Sequence, residues 1–382
     1  MAGKKKSYDN ESITSLKGAD RVRKRPAVIF GSSNADGALA AVANIIENSS
    51  NEAKAGYGKK IIIRRFADNS FEITDQGRGI PVEYDKEEEK YSWELNFCEL
   101  YAGSKFGDDN FYLRFDGLGL CSVQYVSEYM DAIIYRKDKK YTLHFEKGIN
   151  IGGLKVEDNR ERLKGTNLKF KLDDTVFDDT YIKYESIENR VKDYAVSNLG
   201  VSYELEYMEE NTVKKMTFTY QNLSDRVRDC FHGEDLTLFE NKVEFKGKQN
   251  ERPCSGSVSV CMSYSKNKTV EEVYHHGRFL KYGGIALIEL KKVLCERINA
   301  AFASKEAQLT QANVENVLNK ISIIIYTTIY PQNFVRWTNG ARTAIENPII
   351  GECVRNMCVP LIEELLEEHR DEIKKVLTEV VE

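Results

Sequence analysis

No Cys-x-x-Cys pair occurs among the eight cysteines (98, 121, 230, 254, 261, 295, 353 and 358), and no histidine stands near them at metal-ligand spacing. That excludes a zinc ribbon or a thioredoxin-type pair and leaves buried free thiols in a reducing cytoplasm as the expectation. No apolar run reaches the ~18 residues that a membrane-spanning helix needs. MAGKKK is followed by polar residues, not by the apolar core of a secretory signal. The expectation is a cytoplasmic protein with no membrane partner. Charge of one sign is not in excess: 55 Lys and Arg are set against 60 Asp and Glu, a net charge of −5. Without a global field, nucleic acid could be met only through a local patch. There is also no internal repeat and no low-complexity tract, which excludes a repeat array.

What is there is length and pattern. With 382 residues, 41% of them hydrophobic, the chain can form two or three compact domains. Residues 38–56 carry Leu39, Val42, Ile45 and Ile46 near helical period, with Gly56 where a C-cap would stand. On the same segment Asn44, Asn48 and Glu52 recur every fourth residue as a polar stripe. The runs KIIIRR and FEIT then flank an Asp-Asn-Ser turn and lead into DQGRGIP, Asp75 to Pro81, so a glycine-rich stretch opens where a strand ends. Before them, Ser15 is expected to cap a short helix that runs through Arg23 and is ended by Pro26. Its basic cluster, Arg21, Arg23, Lys24 and Arg25, either binds phosphate or forms a solvated face.

Further on, residues 82–100 read as charged sequence passing into a second helix, and 102–122 as a long loop with four glycines. VQYVSEYMDAIIYR reads as a helix passing into a strand. Strands follow near 141–146 and 166–172, then a helix over 182–199 and a strand pair turning at Glu209 to Thr212. Composition shifts near residue 220, where QNLSDRVRDCF suggests a domain start. Strands in GSVSVCMSYS and VEEVYHHGRF, a helix in ALIELKKVLCERINAAFASK and a helix-to-strand passage in ENVLNKISIIIYTTIY come next. A long helix, PLIEELLEEHRDEIKKVLTEVVE, closes the chain with spacing that suits a partner helix.

The chemistry gathers at the glycine-rich stretch. Asp75 could accept a hydrogen bond from an exocyclic amine, while Gly77 and Gly79 let backbone approach a flat ring. A second glycine-rich segment, DGLGLCS, could present backbone amides to phosphates. Asn48 offers an amide oxygen to a Mg²⁺ that keeps most of its waters. Each signal is weak alone, yet all three agree on a nucleotide.

These segments, with SYDNESITSLKGADRVRKRPAVIFG, NEAKAG, ADNS, AGSKF and the later Gly165-Thr166, resemble the N-terminal ATPase region of the DNA gyrase B protein and its type IIA topoisomerase relatives. The resemblance runs from residue 8 to about 220 at near-constant spacing and continues more loosely to the end, where HHGRFLKYGG and TIYPQNFVRWTNGA hold recognisable positions. It implies an α+β chain. Residues 1–31 would be a dimerisation arm and first helix, 32–220 a GHKL (Bergerat) ATPase α/β sandwich, and 221–382 a transducer domain of ribosomal-protein-S5-like fold ending in a long helix. The cofactors it implies are ATP and Mg²⁺. In the family, the position of Asp75 holds the adenine amine, Gly77, Gly79, Ile80 and Pro81 belong to the base pocket, and Arg78 pairs with Glu52. Asn48 matches the Mg²⁺-binding Asn. Lys105, Tyr112, Gly117, Leu118 and Gly119 match loop residues near the nucleotide, and Thr166 the adenine-side Thr. Tyr8 and Ile13 match the arm that embraces a partner protomer.

The phosphate side departs from the family. Its general-base glutamate, one turn before the Mg²⁺ Asn, is Asn44 here, and losing a general base costs ~10²- to 10⁴-fold in rate. Glu47, three residues on and roughly 300° around a helix, is expected to point away from Asn44 and to be an imperfect substitute. Two glycines of the phosphate loop read as Leu120 and Ser122, where a left-handed backbone would cost of order 1 kcal/mol or more. The lysine that meets the terminal phosphate reads as Asn339 in Trp337-Thr338-Asn339.

Three readings follow. One is a gyrase-B-like pseudo-ATPase clamp that binds nucleotide with hydrolysis impaired or lost. It would work as a homodimer, or as a heterodimer with an active paralogue, on double-stranded DNA and with a topoisomerase A-type subunit. Another is an active ATP-hydrolysing N-terminal fragment, since no acidic metal-binding segment follows the long helix. The third is a non-enzymatic DNA-binding or regulatory scaffold. Lys291 and Lys292 are the candidate DNA contacts on a transducer helix.

Overall fold

The computed structural model describes residues 18–100, 102, 119–209, 212–232, 234–249, 251–303, 309–331, 334–338 and 343–378. The chain divides into two compact units. The first draws on residues between 18 and 190 with 203–217, and the second on 191–202 with 218–378.

The first unit opens with α1 (Asp20–Arg23), α2 (Pro26–Phe30) and α3 (Ala35–Lys54). Pro26 does not simply end a helix. It stands at the first turn of α2, where its fixed φ and missing N–H cost nothing. Asn34 caps α3, its side chain accepting the Asp36 N–H at 2.9 Å, and Gly56 at φ +87° follows the other end. Next come β1 (Lys60–Phe66), β2 (Phe71–Asp75) and a small hairpin, β3 (Tyr84–Asp85) with β4 (Lys90–Tyr91), which the sequence does not announce. Then follow α4 (Ser92–Cys98), α5 (Gly119–Tyr125), β5 (Ser127–Arg136), β6 (Lys139–Glu146), β7 (Ile149–Asn150), β8 (Lys155–Asp158), β9 (Gly165–Leu172), α6 (Tyr184–Ser197, counted from Val191 on with the second unit), β10 (Ser202–Glu209) and β11 (Thr212–Phe218). The strands form one sheet in the order β11-β10-β1-β2-β9-β5-β6-β7, with β8 against β6.

Alternation in these strands sorts the two faces of the sheet. Ile61, Ile63, Phe71, Ile73, Met130, Ala132, Ile134, Leu168 and Phe170 are buried, and α3 packs on β1 and β2. Each of these side chains larger than Ala132 contributes about 1.5–3 kcal/mol of hydrophobic stabilisation. The intervening residues carry charges that alternate across the strands. Arg64 stands opposite Glu72, Glu72 opposite Lys169, Lys169 opposite Asp131, and Asp131 opposite His144. Opposite charges at directly paired positions stabilise this half-exposed face.

Arg23 is neither a free phosphate ligand nor a solvated cation. It donates to Asp173 Oδ2 at 2.6 Å and to the Tyr125 carbonyl at 2.9 Å, so it fastens α1 to the end of β9 and to α5. Burial pushes the Asp173 carboxyl up, but hydrogen bonds from Arg23 and Thr175 outweigh it and bring the pKa down to about 2.

The second unit contains α7 (Leu223–Cys230), β12 (Phe239–Gln249), β13 (Arg252–Tyr264), β14 (Glu271–His275), β15 (Arg278–Phe279), α8 (Ile285–Phe302), α9 (Gln311–Leu318), β16 (Ile321–Tyr330), α10 (Pro348–Glu368) and α11 (Arg370–Thr378). Its sheet has the order β12-β13-β16-β14-β15, with β14 and β16 parallel. One face buries Val258, Val260, Met262, Ile323 and Ile325 in a core shared with Leu290, Leu294, Val354, Ile362 and Leu365 of α8 and α10. The expected single closing helix is two helices. α10 begins at Pro348 and stops at His369, whose ring stacks on Tyr264 at 4.9 Å, and α11 then turns Ile373 and Leu377 into the core.

All eight thiols are free. Cys121, Cys254, Cys261 and Cys358 are buried and the other four half-buried. Among the described residues no helix is long and apolar enough to cross a membrane.

Candidate functional site

β2 alternates with Phe71, Ile73 and Asp75 in the same inward phase, so the strand delivers a carboxylate where its pattern would otherwise place a third apolar side chain. Asp75 is only 7% exposed. Burying a carboxylate demands donors, and three converge on it. Oδ1 accepts the N–H groups of Gly77 at 2.8 Å and Thr166 at 3.3 Å, while Oδ2 accepts the Ser49 hydroxyl at 3.0 Å. Burial still dominates and raises the Asp75 pKa.

The loop after Asp75 runs close to its neighbours. A Cβ on Gly77 would lie 2.9 Å from the Glu52 Cβ and from Asp75 Oδ1, so only glycine fits against α3. A Cβ on Gly165, at φ +105°, would lie 2.0 Å from the Asp75 carbonyl oxygen. The Ile80 N–H donates to Thr166 Oγ1 at 3.3 Å, and the Pro81 carbonyl accepts from Asn96 Nδ2 at 3.3 Å. Arg78 and Glu52 form a fork pair, Nε to Oε2 at 3.0 Å and Nη2 to Oε1 at 2.8 Å, to which the Arg78 N–H adds 3.1 Å. Burial works to raise the Glu52 pKa, and its bonds to Arg78 overcome this and lower it. The Arg78 guanidinium lies over the Tyr57 ring, 4.1 Å from its centroid.

Asn44 and Asn48 lie on α3 facing the first residue of α5. A Cβ on Gly119 would meet Asn44 Cβ and Asn48 Oδ1, each at 3.9 Å. Asn44, Asn48, Glu52, Asp75, Gly77, Arg78, Gly79, Ile80, Pro81, Gly119 and Thr166 therefore belong to adjoining segments of one unit, α3, the β2 loop, the start of β9 and the start of α5. Tyr8, Ile13, Lys105, Tyr112, Gly117, Leu118 and Asn339 lie outside the described residues.

Two sequence expectations need correction. Leu120 and Ser122 do not stand at left-handed positions. Both lie inside α5, neither has a positive φ, and the Ser122 hydroxyl donates back to the Gly119 carbonyl at 3.1 Å. The backbone-strain objection at these two positions falls away. Glu47 does not oppose Asn44, because ~300° is only ~60° short of a full turn and residues three apart are neighbours on a helix. The atoms nearest Gly119 nonetheless come from Asn44 and Asn48, not Glu47. Lys291 and Lys292, the candidate DNA contacts, each carry an ion pair on the surface: Lys291 with Glu271 at 2.5 Å and Lys292 with Glu289 at 2.7 Å.

No protein-family model matches the chain. Individual relatives do. The type 2 topoisomerase B protein of Aquifex aeolicus is 26% identical over 393 residues, covering 98% of this chain and 47% of that protein. The DNA gyrase B protein of Thermotoga maritima is 25% identical over 386 residues, covering 98% of this chain and 59% of that one. The 43K ATPase domain of Thermus thermophilus gyrase B, solved with an aminocoumarin, superposes with a TM-score of 0.69 at 23% identity, over 94% of this chain and 93% of that one.

The chain resembles gyrase B over nearly its whole length.

The topoisomerase IV ATP-binding domain of Francisella tularensis, solved with a small-molecule inhibitor, gives a TM-score of 0.68 at 20% identity over 95% of this chain. The fold is thus the α+β one of these gyrase B and topoisomerase IV domains. The chain spans about half the length of the curated relatives it matches.

Four residues around the gyrase-B-like site escape sequence reasoning: Ser49, Tyr57, Glu83 and Arg136. Ser49 carries a weak signal as the neighbour of Asn48 on a stripe-bearing helix. Glu83 and Arg136 carry none, since they meet only when β5 is laid beside β9 and the loop before β3.

Proposed function

We propose that this chain is a gyrase-B-like nucleotide-binding clamp module that binds ATP with hydrolysis impaired or lost. The observation that carries the reading is an asymmetry along α3. At one end Asp75, Ser49, Thr166 and the glycine loop form a buried, polar-bottomed cradle. Near the middle of the helix Asn44, an amide, stands one turn before Asn48 and beside Gly119.

The donors and shape of the cradle suit a purine base. Asp75 has acceptor capacity left on Oδ2 for an exocyclic amine, and the absence of a side chain at Gly77 lets the loop lie close against Glu52 of α3 beside it. Asn48 would offer its amide oxygen to Mg²⁺. Among the described residues no group of three or more His, Cys, Asp or Glu could hold a metal alone, so that ion would draw its other ligands from water and phosphate. ATP, when bound, supplies a phosphoryl group that can pass to water. Of this chain's residues, Asp75 and Thr166 orient the base, Glu52 fixes Arg78, and Asn44 cannot take a proton from water at neutral pH.

An active hydrolase is the second reading, favoured by the helical backbone at Leu120 and Ser122, which carries no left-handed strain. Dimerisation through the arm bearing Tyr8 and Ile13, double-stranded DNA and a topoisomerase A-type subunit as partners, and the domain limits 32–220 and 221–382 belong to the same proposal. A calorimetric titration with a non-hydrolysable ATP analogue tests it. Saturable binding that Asp75→Asn removes is expected, and a folded chain that binds none at millimolar concentration would leave only the scaffold.

A further inference from the structure

The backbone from Gly77 to Pro81 is fixed from two sides. On the α3 side, Glu52 holds Arg78. On the other, Arg136 at the end of β5 sends Nη1 to the carbonyl oxygens of Gly79 at 3.2 Å and Arg78 at 3.5 Å. The same guanidinium donates through Nε to Glu83 Oε1 at 3.0 Å. Glu83 is itself well anchored. Lys137 Nζ reaches Oε1 at 2.8 Å, the Val82 N–H donates to Oε2 at 3.2 Å, and the Glu83 carbonyl accepts the Ser92 N–H at 2.7 Å. The carboxylate therefore sits between the loop before β3 and the end of β5, with fixed donors on both oxygens.

We propose that Glu83 is a positioning residue for the base pocket: it aims Arg136 so that the guanidinium grips the Gly79 and Arg78 carbonyls and keeps the Asp75–Pro81 loop in the shape that receives a purine. The inference rests on the nucleotide reading above. An arginine has four rotatable side-chain bonds, and carbonyl oxygens alone are weak partners compared with a carboxylate. Without Glu83 the guanidinium is released to solvent, and the loop must be ordered anew each time a ligand binds. Gly79 makes the loop sensitive to this. It stands at φ +77°, with space for a Cβ closed by the Tyr135 carbonyl oxygen at 2.7 Å, so the loop and the end of β5 move together. The charge on Glu83 persists throughout the neutral range. Burial raises its pKa, but the bonds from Lys137 and Arg136 prevail and bring it to about 2.

Adenosine, which lacks phosphates and so does not involve Asn44, is the probe. It is titrated by calorimetry into the full chain as wild type, Glu83→Gln, Arg136→Gln and the double variant, with thermal unfolding recorded for each. Glu83→Gln is expected to weaken adenosine binding by about five- to tenfold, Arg136→Gln by a similar factor, and the double variant by no more than the worse single one, because the two side chains act as a unit. If Glu83→Gln fails to fold, Arg136→Gln must carry the same loss alone. A wild type that binds adenosine, loses it on Asp75→Asn, and keeps it within twofold in Glu83→Gln or in Arg136→Gln overturns the positioning role while sparing the nucleotide reading. A wild type that binds no adenosine overturns both.

Discussion

Gly119 opens α5 directly against Asn44 of α3: a Cβ on Gly119 would lie 3.9 Å from the Asn44 Cβ. Whatever meets the start of α5 meets an amide there. Asn44→Glu is therefore expected to raise ATP turnover by ~10²-fold or more, the range a restored general base supplies. Steady-state phosphate release checks it. Because Glu47 flanks Asn44 instead of opposing it, any turnover left in the wild type should vanish in Glu47→Gln. Unchanged residual turnover would show that Glu47 takes no part.

Among the described glycines, Gly165 is the one where an added Cβ would come closest to another atom. Its φ of +105° and the 2.0 Å approach of a Cβ to the Asp75 carbonyl oxygen mean that Gly165→Ala must displace the end of β2. A left-handed strain of this kind costs about 1–3 kcal/mol, and the clash adds to it. Denaturant unfolding should register at least that loss. A loss below about 0.5 kcal/mol would mean that the β2–β9 junction gives way easily.

His144 is the pH-sensitive end of the charge row across the first sheet. Its Nδ1 lies 2.7 Å from Asp131 Oδ1 and its Nε2 3.3 Å from Glu146 Oε1. The bond to Asp131 is the main cause that raises its pKa, burial opposes it, and Glu146 adds to the rise. A raised folded value means that the stabilisation is complete below the unfolded pKa of about 6.5 and is lost as pH rises through the folded value. The His144 ring should titrate by NMR with a midpoint above about 6.5, and Asp131→Asn should lower that midpoint. An unchanged midpoint would dismiss Asp131 as the cause.

Lys291 and Lys292 are each already paired with a glutamate. Lys291→Gln and Lys292→Gln should therefore leave the salt dependence of duplex-DNA binding unaltered. A fall in the slope of log affinity against log salt by about one unit for either variant would make that lysine a phosphate contact.

Much of this was legible in the sequence because local physics specified it. The apolar period and the Asn44, Asn48 and Glu52 stripe of α3, the alternation in FEITD and the glycines of DQGRGIP lead to the helix, the strand and the loop that hold Asp75. The hairpin β3–β4 was not legible, since two-residue strands carry no period. Neither was β12, whose lysines and glutamates alternate with Val243 and Phe245 without a long apolar run. The break at His369 depends on a stacking partner, Tyr264, distant in sequence. Leu120 and Ser122 misled because a glycine pattern was read where a helix had already begun. Glu83 and Arg136 meet across 53 residues, a contact that no local pattern encodes.

The most direct test of the account is a single-turnover and steady-state measurement of ATP hydrolysis by the folded wild-type chain, with nucleotide binding followed in parallel. Saturable binding with hydrolysis at least ~10²-fold below that of Glu-bearing relatives is the predicted result. Turnover within about tenfold of those relatives, abolished by Asp75→Ala, would contradict it, because the loss of the carboxylate at Asn44 requires a larger deficit.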